Sequence, residues 1–321
     1  VTKTAILTTD LDTKSGKILD VIFQYRRLLD ETNFNTRSQH SSYLSSHLQK
    51  LKFFIKQAKP LHCILPAFPA KSPNLKKVTG KLPDMGERIS LKFLHELCLE
   101  IQQIYPPGMQ ITICSDGRVF SDLVCVSDED VTEYSRELRH LCEEINAHNI
   151  NFFNLEDIFN GLSFEQMRSQ LITDYSNSVE DIRQLVKSNL SYSKLFNGIH
   201  RFLFEDYQVL QPEKSRNKVR SECKVLTYQV IQRSESWSTL LSKTFPHALR
   251  LSIHPQSDQS EKIGIHMMKS KDNWATPWHN VAVYNGQDFI LMKRYKAETM
   301  GASLVYHKKR PSHFLLTKYS N

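Results

Sequence analysis

The chain has 321 residues, 40% of them hydrophobic and 24% charged, with 10 Gly and 12 Pro, which excludes a disordered, collagen-like or small disulfide-stapled protein. A formal charge of +8 admits nucleic acid, an acidic surface or a phosphorylated small molecule as partner without separating them. There is no run of 18 apolar residues and no signal-peptide core, and six scattered cysteines (Cys63, Cys98, Cys114, Cys125, Cys142, Cys223) form no CxxC or zinc-spaced Cys/His pair, so a cytoplasmic protein with buried free thiols is expected.

Residues 1–60 read as N-terminal packing helices. Ile18, Val21, Ile22, Tyr25, Leu28 and Leu29 share one helical stripe, and Leu44, Leu48, Leu51 and Ile55 share another. Residues 61–160 then alternate. LHCILPA is a short apolar run broken by Pro66 and Pro69 and reads as a buried strand. Asp84 with Glu87 makes a capping box ahead of a helix carrying Phe93, Leu94, Leu97, Ile101 and Ile104, which ends at Pro106-Pro107-Gly108. Gln110–Cys114 is a second strand, a helix follows Ser127, and Ile150–Asn154 is a third strand. This βαβαβ pattern predicts an α/β protein with a parallel sheet and ligand sites beyond the strands' carboxyl ends, in loops beginning at Pro66, Ser115 and Leu155. Residues 161–245 read as a helical segment. Residues 246–321 are β-rich, with strand-like runs ALRLSIH, KIGIHMM, HNVAVY, DFILMK, ASLVYH and HFLLT; whether they extend the first sheet or form another is left open.

Chemistry concentrates in four places. Between Lys50 and Pro83 stand eight lysines and no acidic residue. The later ones, Lys71, Lys76, Lys77 and Lys81, lie in a loop that leads to a helix N-terminus, an arrangement suited to a phosphate. Ser115, Asp116 and Gly117 follow a buried strand, with Gly117 read as letting backbone approach a ligand. Arg250, Ser252 and His254 share one strand face, a cation beside a titratable imidazole. Trp274, Trp278 and His279 set two indoles, either as a pocket wall or as core, beside a second imidazole. Neither GxGxxG nor GxxxxGK[ST] occurs, and no HExxH or HxH supports a metal, so no metal is expected.

The segments LPAFPAKSPN…VTGKLPDMGE, YPPGMQITICSDGRVFSDL, FPHALRLSIHP and WATPWHNVAV resemble, in that order, the pyoverdine/dityrosine biosynthesis family, the isocyanide (isonitrile) synthases. The resemblance spans about residues 20–310. It implies a Rossmann-like core and a reaction in which the amine of an L-amino acid condenses with the C2 ketone of ribulose 5-phosphate, whose carbon becomes the isocyanide carbon. No cofactor is implied beyond that co-substrate. The family motifs fall on Lys71, Ser72, Gly80, Pro83, Asp84, Glu87, Ser115, Asp116, Gly117, Arg250, His254, Trp278 and His279.

With those positions in hand, Asp116, His254 and His279 are expected to move protons, with Glu87 in reserve. Lys71, Lys76, Lys77, Lys81 and the helix end near Asp84 are expected at the sugar phosphate, and Ser72 and Ser115 among the substrate-binding residues. Arg250 is expected at the amino-acid carboxylate, and Trp274 and Trp278 at its side chain. The family also includes fungal spore-wall enzymes and modules fused to other domains, so a fungal member is expected, and whether a chain that begins at Val1 is a module of a longer protein is left open. A downstream oxygenase or cytochrome P450 is the implied partner, with no nucleic acid and no membrane. The alternatives are a relative that stops at an N-formyl amino acid, a non-catalytic phosphosugar binder, and a nucleic-acid-binding protein favoured only by charge.

Overall fold

The structure is a computed structural model describing residues 2–29 and 42–316. Val1, residues 30–41 and residues 317–321, including the threonine that ends the HFLLT run, lie outside the described residues. The chain opens with α1 (Thr2–Gln24) and α2 (Ser42–Lys56), which bury Ile18, Leu19, Ile22 and Leu51. The first apolar stripe outlasts its helix. Residues 25–29 leave α1 and run along another segment, with Arg27 N donating to Gly264 O at 2.7 Å and Gln256 N donating to Arg27 O at 3.1 Å. Those bonds cover a strand edge that would otherwise be bare, and this competes successfully with continued helix.

The first sheet is built from β1 (Leu61–Pro66), α3 (Met85–Ile104), β2 (Met109–Cys114), the short α4 (Gly117–Phe120), α5 (Asp128–Glu144) and β3 (Ile150–Phe153). After a helical segment of α6 (Phe164–Tyr175), α7 (Val179–Ser188), α8 (Leu190–Leu210) and α9 (Arg216–Thr244), the chain returns as β4 (Leu249–Ser252) and β5 (Ile263–Gly264). All five strands are parallel, in the order β3-β2-β1-β4-β5. That is the doubly wound order, and its reversal point lies between β1 and β4.

Both faces of the sheet are covered, which is why β1 is apolar on successive residues rather than alternate ones. Cys63, Leu65, Ile111 and Ile113 join the core with Ile18, Leu51, Leu91, Leu94 and Tyr134. On the opposite face Ile64 and Cys114 pack with Trp237, Leu240 and Leu241 of α9. Leu203 and Tyr207 of α8 close on Val219 and Cys223 of α9, so the helical segment holds itself together as well as the sheet.

The C-terminal part divides. β4 and β5 complete the first sheet, whereas β6 (Lys269–Ser270), β7 (Val281–Tyr284), β8 (Phe289–Met292), β9 (Ser303–His307) and β10 (Arg310–Leu315), with α10 (Arg294–Thr299), build a mixed sheet ordered β6-β8-β7-β10-β9. Alternation in a sequence reports a strand's two faces and not its partners, so both outcomes were compatible with it. Five cysteines are buried and free, but Cys125 is exposed, in a surface turn with φ 59°. Among the described residues no helix is long and apolar enough to cross a membrane.

Candidate active site

Asp84 and Glu87 form the capping box that starts α3: Gly86 N donates to Asp84 Oδ1 at 2.8 Å, and Asp84 N donates to Glu87 Oε2 at 2.9 Å. The same carboxylates enclose Lys71, whose Nζ lies 2.8 Å from Asp84 Oδ2 and 2.9 Å from Glu87 Oε2 and donates to Pro277 O at 3.0 Å. Thr79 Oγ1 donates to Asp84 and Tyr134 OH to Glu87. Burial works to depress the Lys71 ammonium, but its two carboxylates outweigh that and hold it above the ordinary lysine range. Burial lifts the Glu87 carboxyl to about 7, with Lys71 opposing and Asp84 reinforcing the rise.

The lysine-rich loop is therefore largely neutralised by the chain's own acids. Lys77 binds Asp206 of α8 at 2.6 Å, Asn74 Nδ2 donates to the same carboxylate at 3.0 Å, and Lys81 holds Asp130 at the surface. Lys76 is exposed. Ser72 is buried, its Oγ accepting from Asn74 N at 3.2 Å and its N donating to Trp278 O at 2.9 Å. Together with the Lys71–Pro277 bond, this clasps the turn Pro277–His279 onto the loop that follows β1.

That turn separates the two indoles. Trp278 is 2% exposed and packs on Phe68 with ring centres 5.2 Å apart, so it is core. Trp274 is 58% exposed and lies 5.6 Å from the His254 ring. His279 is half-buried against Phe202 of α8, with ring centres 4.9 Å apart, and its Nδ1 is sealed from solvent with no hydrogen-bond partner among the described residues. Burial pushes the His279 imidazole down to about 3, aided by the Lys77, His254 and Lys71 charges. His254 stands just past the end of β4 and keeps solvent contact. Even so, protein closes around it enough that desolvation, then Arg27 and Lys262, push it down to about 4.

Past the end of β2, Ser115 Oγ donates to Phe68 O at 3.0 Å. Asp116 follows, half-buried, with Oδ1 out of reach of solvent and, among the described residues, of any hydrogen-bond partner. Burial lifts its carboxyl to about 6. Gly117 is required for a different reason than ligand approach: a Cβ there would stand 1.9 Å from Pro69 O. Gly117→Ala should therefore push the turn off the loop after β1 and destabilise the fold by about 1–3 kcal/mol, read as a lower urea midpoint. Ser115 also borders a separate cavity of about 250 Å³ at the ends of β2 and β3, whose Arg118 is already held by Asp128 and Glu156.

Arg250 projects from β4 towards α9, where its nitrogens donate to Ser242 Oγ and Ser238 Oγ at 2.8 Å each. It shares this face with Ile64, its neighbour across the ladder. Phe202, Asp206, Tyr134, Thr79 and Lys262 are the participants that sequence reasoning missed. Asp206 meets Asn74 across 132 positions, and no local pattern signals such a contact. Lys262 had a faint signal, since it opens the KIGIHMM run in phase with the strand beside it.

The carboxyl ends of this doubly wound sheet carry Asp116 after β2, His254 after β4 and His279 on the turn clasped to the β1 loop, the side of the sheet on which α/β enzymes place their active sites. Residues 51–305 match the family model described as pyoverdine/dityrosine biosynthesis protein. The chain is 53% identical over 304 residues to an L-tryptophan isonitrile synthase of Fischerella ambigua, covering 95% of this chain and 92% of that one. It is 41% identical to an L-tyrosine isonitrile synthase of Xenorhabdus nematophila, covering 96% and 93%. The crystal structure of the PvcA protein from Pseudomonas aeruginosa superposes with a TM-score of 0.86 at 42% identity, covering 95% of this chain and all of that one.

The chain belongs to the pyoverdine/dityrosine biosynthesis family. Its relatives at 41–53% identity are isonitrile synthases, and it is an enzyme of that class. The expectation of a fungal member is not supported, because these similar relatives are bacterial. An isocyanide synthase fused to an NRPS in Aspergillus fumigatus matches at 30%, over 18% of its own length.

Proposed function

We propose that the enzyme condenses the amine of an aromatic L-amino acid with the C2 ketone of ribulose 5-phosphate and retains that carbon as an isonitrile. The observation carrying this reading is the set Asp116, His254 and His279 at the strand ends, three titratable groups without carboxylate partners, in a chain so similar to isonitrile synthases. Condensation expels the ketone oxygen as water, and later carbon–carbon cleavage needs protons moved in both directions. Burial first, and nearby cations after it, hold both imidazoles below their ordinary range. An anionic substrate placed among Lys77, Lys71, Arg27 and Lys262 offsets those charges and raises the imidazoles towards neutrality, so substrate binding itself arms proton transfer. Phe202 and Trp274 supply the apolar wall for an aromatic side chain, and tryptophan is the first substrate to try. An oxygenase or cytochrome P450 is the fitting class of enzyme to consume the product.

The test is incubation of the purified protein with ribulose 5-phosphate carrying carbon-13 at C2 and a pool of L-amino acids. Labelled isonitrile, identified by mass and carbon NMR, is the expected result and also names the amino acid. A labelled N-formyl amino acid, or no labelled product from folded protein, overturns the proposal.

A further inference from the structure

The loop lysines read from the sequence as a phosphate cradle already have carboxylate partners: Lys71 lies between Asp84 and Glu87, Lys77 on Asp206 and Lys81 on Asp130. Arg250 and Lys262 differ. β4 and β5 are parallel, with Leu251 beside Ile263 and Ser252 beside Gly264. One step back along that ladder sets Lys262 beside Arg250, on the same face of the sheet.

Like charges placed side by side on a sheet repel. Among the described residues neither cation has a carboxylate at ion-pair distance. Glu261, the nearest acid in sequence, is bound to Lys50 at 3.2 Å and reaches the pair only through space. The Arg250 guanidinium is buried, two of its nitrogens meet only neutral hydroxyls, and its Nε has no acceptor. Burial and the Arg250 charge together depress the Lys262 ammonium. Lys262 keeps partial solvent contact, and its charge is felt at His254.

We propose that Arg250 and Lys262 form the subsite for a phosphomonoester, the phosphate end of the sugar phosphate substrate. This rests on the reaction proposed above. Two adjacent cations match the charge of roughly −1.5 to −2 that a phosphomonoester carries at pH 7, whereas a carboxylate neutralises one and leaves the other. The orphaned Arg250 Nε supplies a donor, and Lys262 supplies a second from the solvent side. Ser252 continues the same face, its Oγ accepts from His254 N at 3.1 Å, and the His254 ring feels the Lys262 charge, so a sugar anchored here extends towards the imidazole. Arg250 then serves the phosphate rather than the amino-acid carboxylate.

The experiment uses Lys262→Met in the full chain, with Lys262→Gln as a second variant and Lys262→Arg as rescue. It measures KM for ribulose 5-phosphate, KM for the amino acid, and calorimetric binding of inorganic phosphate. The expected result is a rise of about tenfold to a hundredfold in KM for the sugar phosphate and in the Kd for phosphate, an unchanged KM for the amino acid, and recovery in the Arg variant. Melting should not fall, since removing one of two like charges relieves repulsion. A selective rise in the amino-acid KM makes the pair a carboxylate subsite and overturns the proposal, as does no change in either. Phosphate binding lost in the variants of a protein that makes no isonitrile keeps the subsite and removes the proposed reaction. Isonitrile formation with an unmoved sugar-phosphate KM does the reverse.

Discussion

Replacing Lys71 by Met should destabilise the fold by about 3–5 kcal/mol, measured by urea unfolding at neutral pH. The Lys71 and Glu87 side chains are wholly buried and Asp84 is 2% exposed, so water cannot replace the missing ammonium and two carboxylates are left facing each other. One of them must then take a proton. The loss should shrink as the pH is lowered, because a carboxyl with a raised folded-state pKa adds stability below that pKa and loses it as the pH rises through it. The native protein should show the same sign more weakly, losing stability from the ordinary carboxylate range up to about 7 as Glu87 ionises. Adding Glu87→Gln to Lys71→Met should recover much of the loss, since one buried charge goes with the other. Turnover should fall beyond what stability accounts for, because Lys71 and Ser72 fix the turn that carries His279.

Asp116→Asn should have opposite effects on two observables. Turnover should drop by about 10²–10⁴, while the folded state becomes more stable by about 1–2 kcal/mol above pH 6, allowing for its partial solvent contact. The reason lies in the sign of its pKa shift. Burial raises the Asp116 carboxyl to about 6, so the native protein loses stability between about pH 4 and 6 as the unpartnered carboxylate ionises. An amide has no such transition. The gain should therefore be absent at low pH, grow through that window and level off above it. A carboxyl whose removal stabilises the protein is retained for what it does rather than for what it holds. If the Asn variant melts lower at pH 7.5 and keeps its turnover, Asp116 belongs to the scaffold.

Much of the sheet was legible because doubly covered parallel strands are short unbroken apolar runs, and LHCILPA and QITIC read as nothing else. The capping box of Asp84 and Glu87 was equally plain, since it is a contact between near neighbours. What sequence could not show was the third member: Lys71 reaches those carboxylates only because the loop after β1 folds back under the turn at Pro277. Gly117 was noticed for its freedom, yet the structure needs it for want of space beside Pro69. The helical stripe through Leu28 continued past the true end of α1 because apolar spacing persists where the backbone has already turned to another partner. Arg250 and His254 were expected on one strand face, but β4 ends at Ser252 and His254 follows in a bend, and the cation beside Arg250, Lys262, comes from the segment leading into β5.

The helical segment from α6 to α9 enters after β3 and leaves at β4, where a doubly wound sheet needs only one crossover helix. Phe202 and Asp206 ride on it, whereas Asp116 and His254 ride on the strand ends, and His279 on a turn clasped to the β1 loop. In the proposed reaction the Phe202 side of the aromatic wall and the proton-moving groups thus have separate supports, with Trp274 on the second of them. Lineages can reshape the first provided α9 still covers the sheet and Asp206 still holds the loop after β1. Divergence in amino-acid choice then needs no rebuilding of the chemistry.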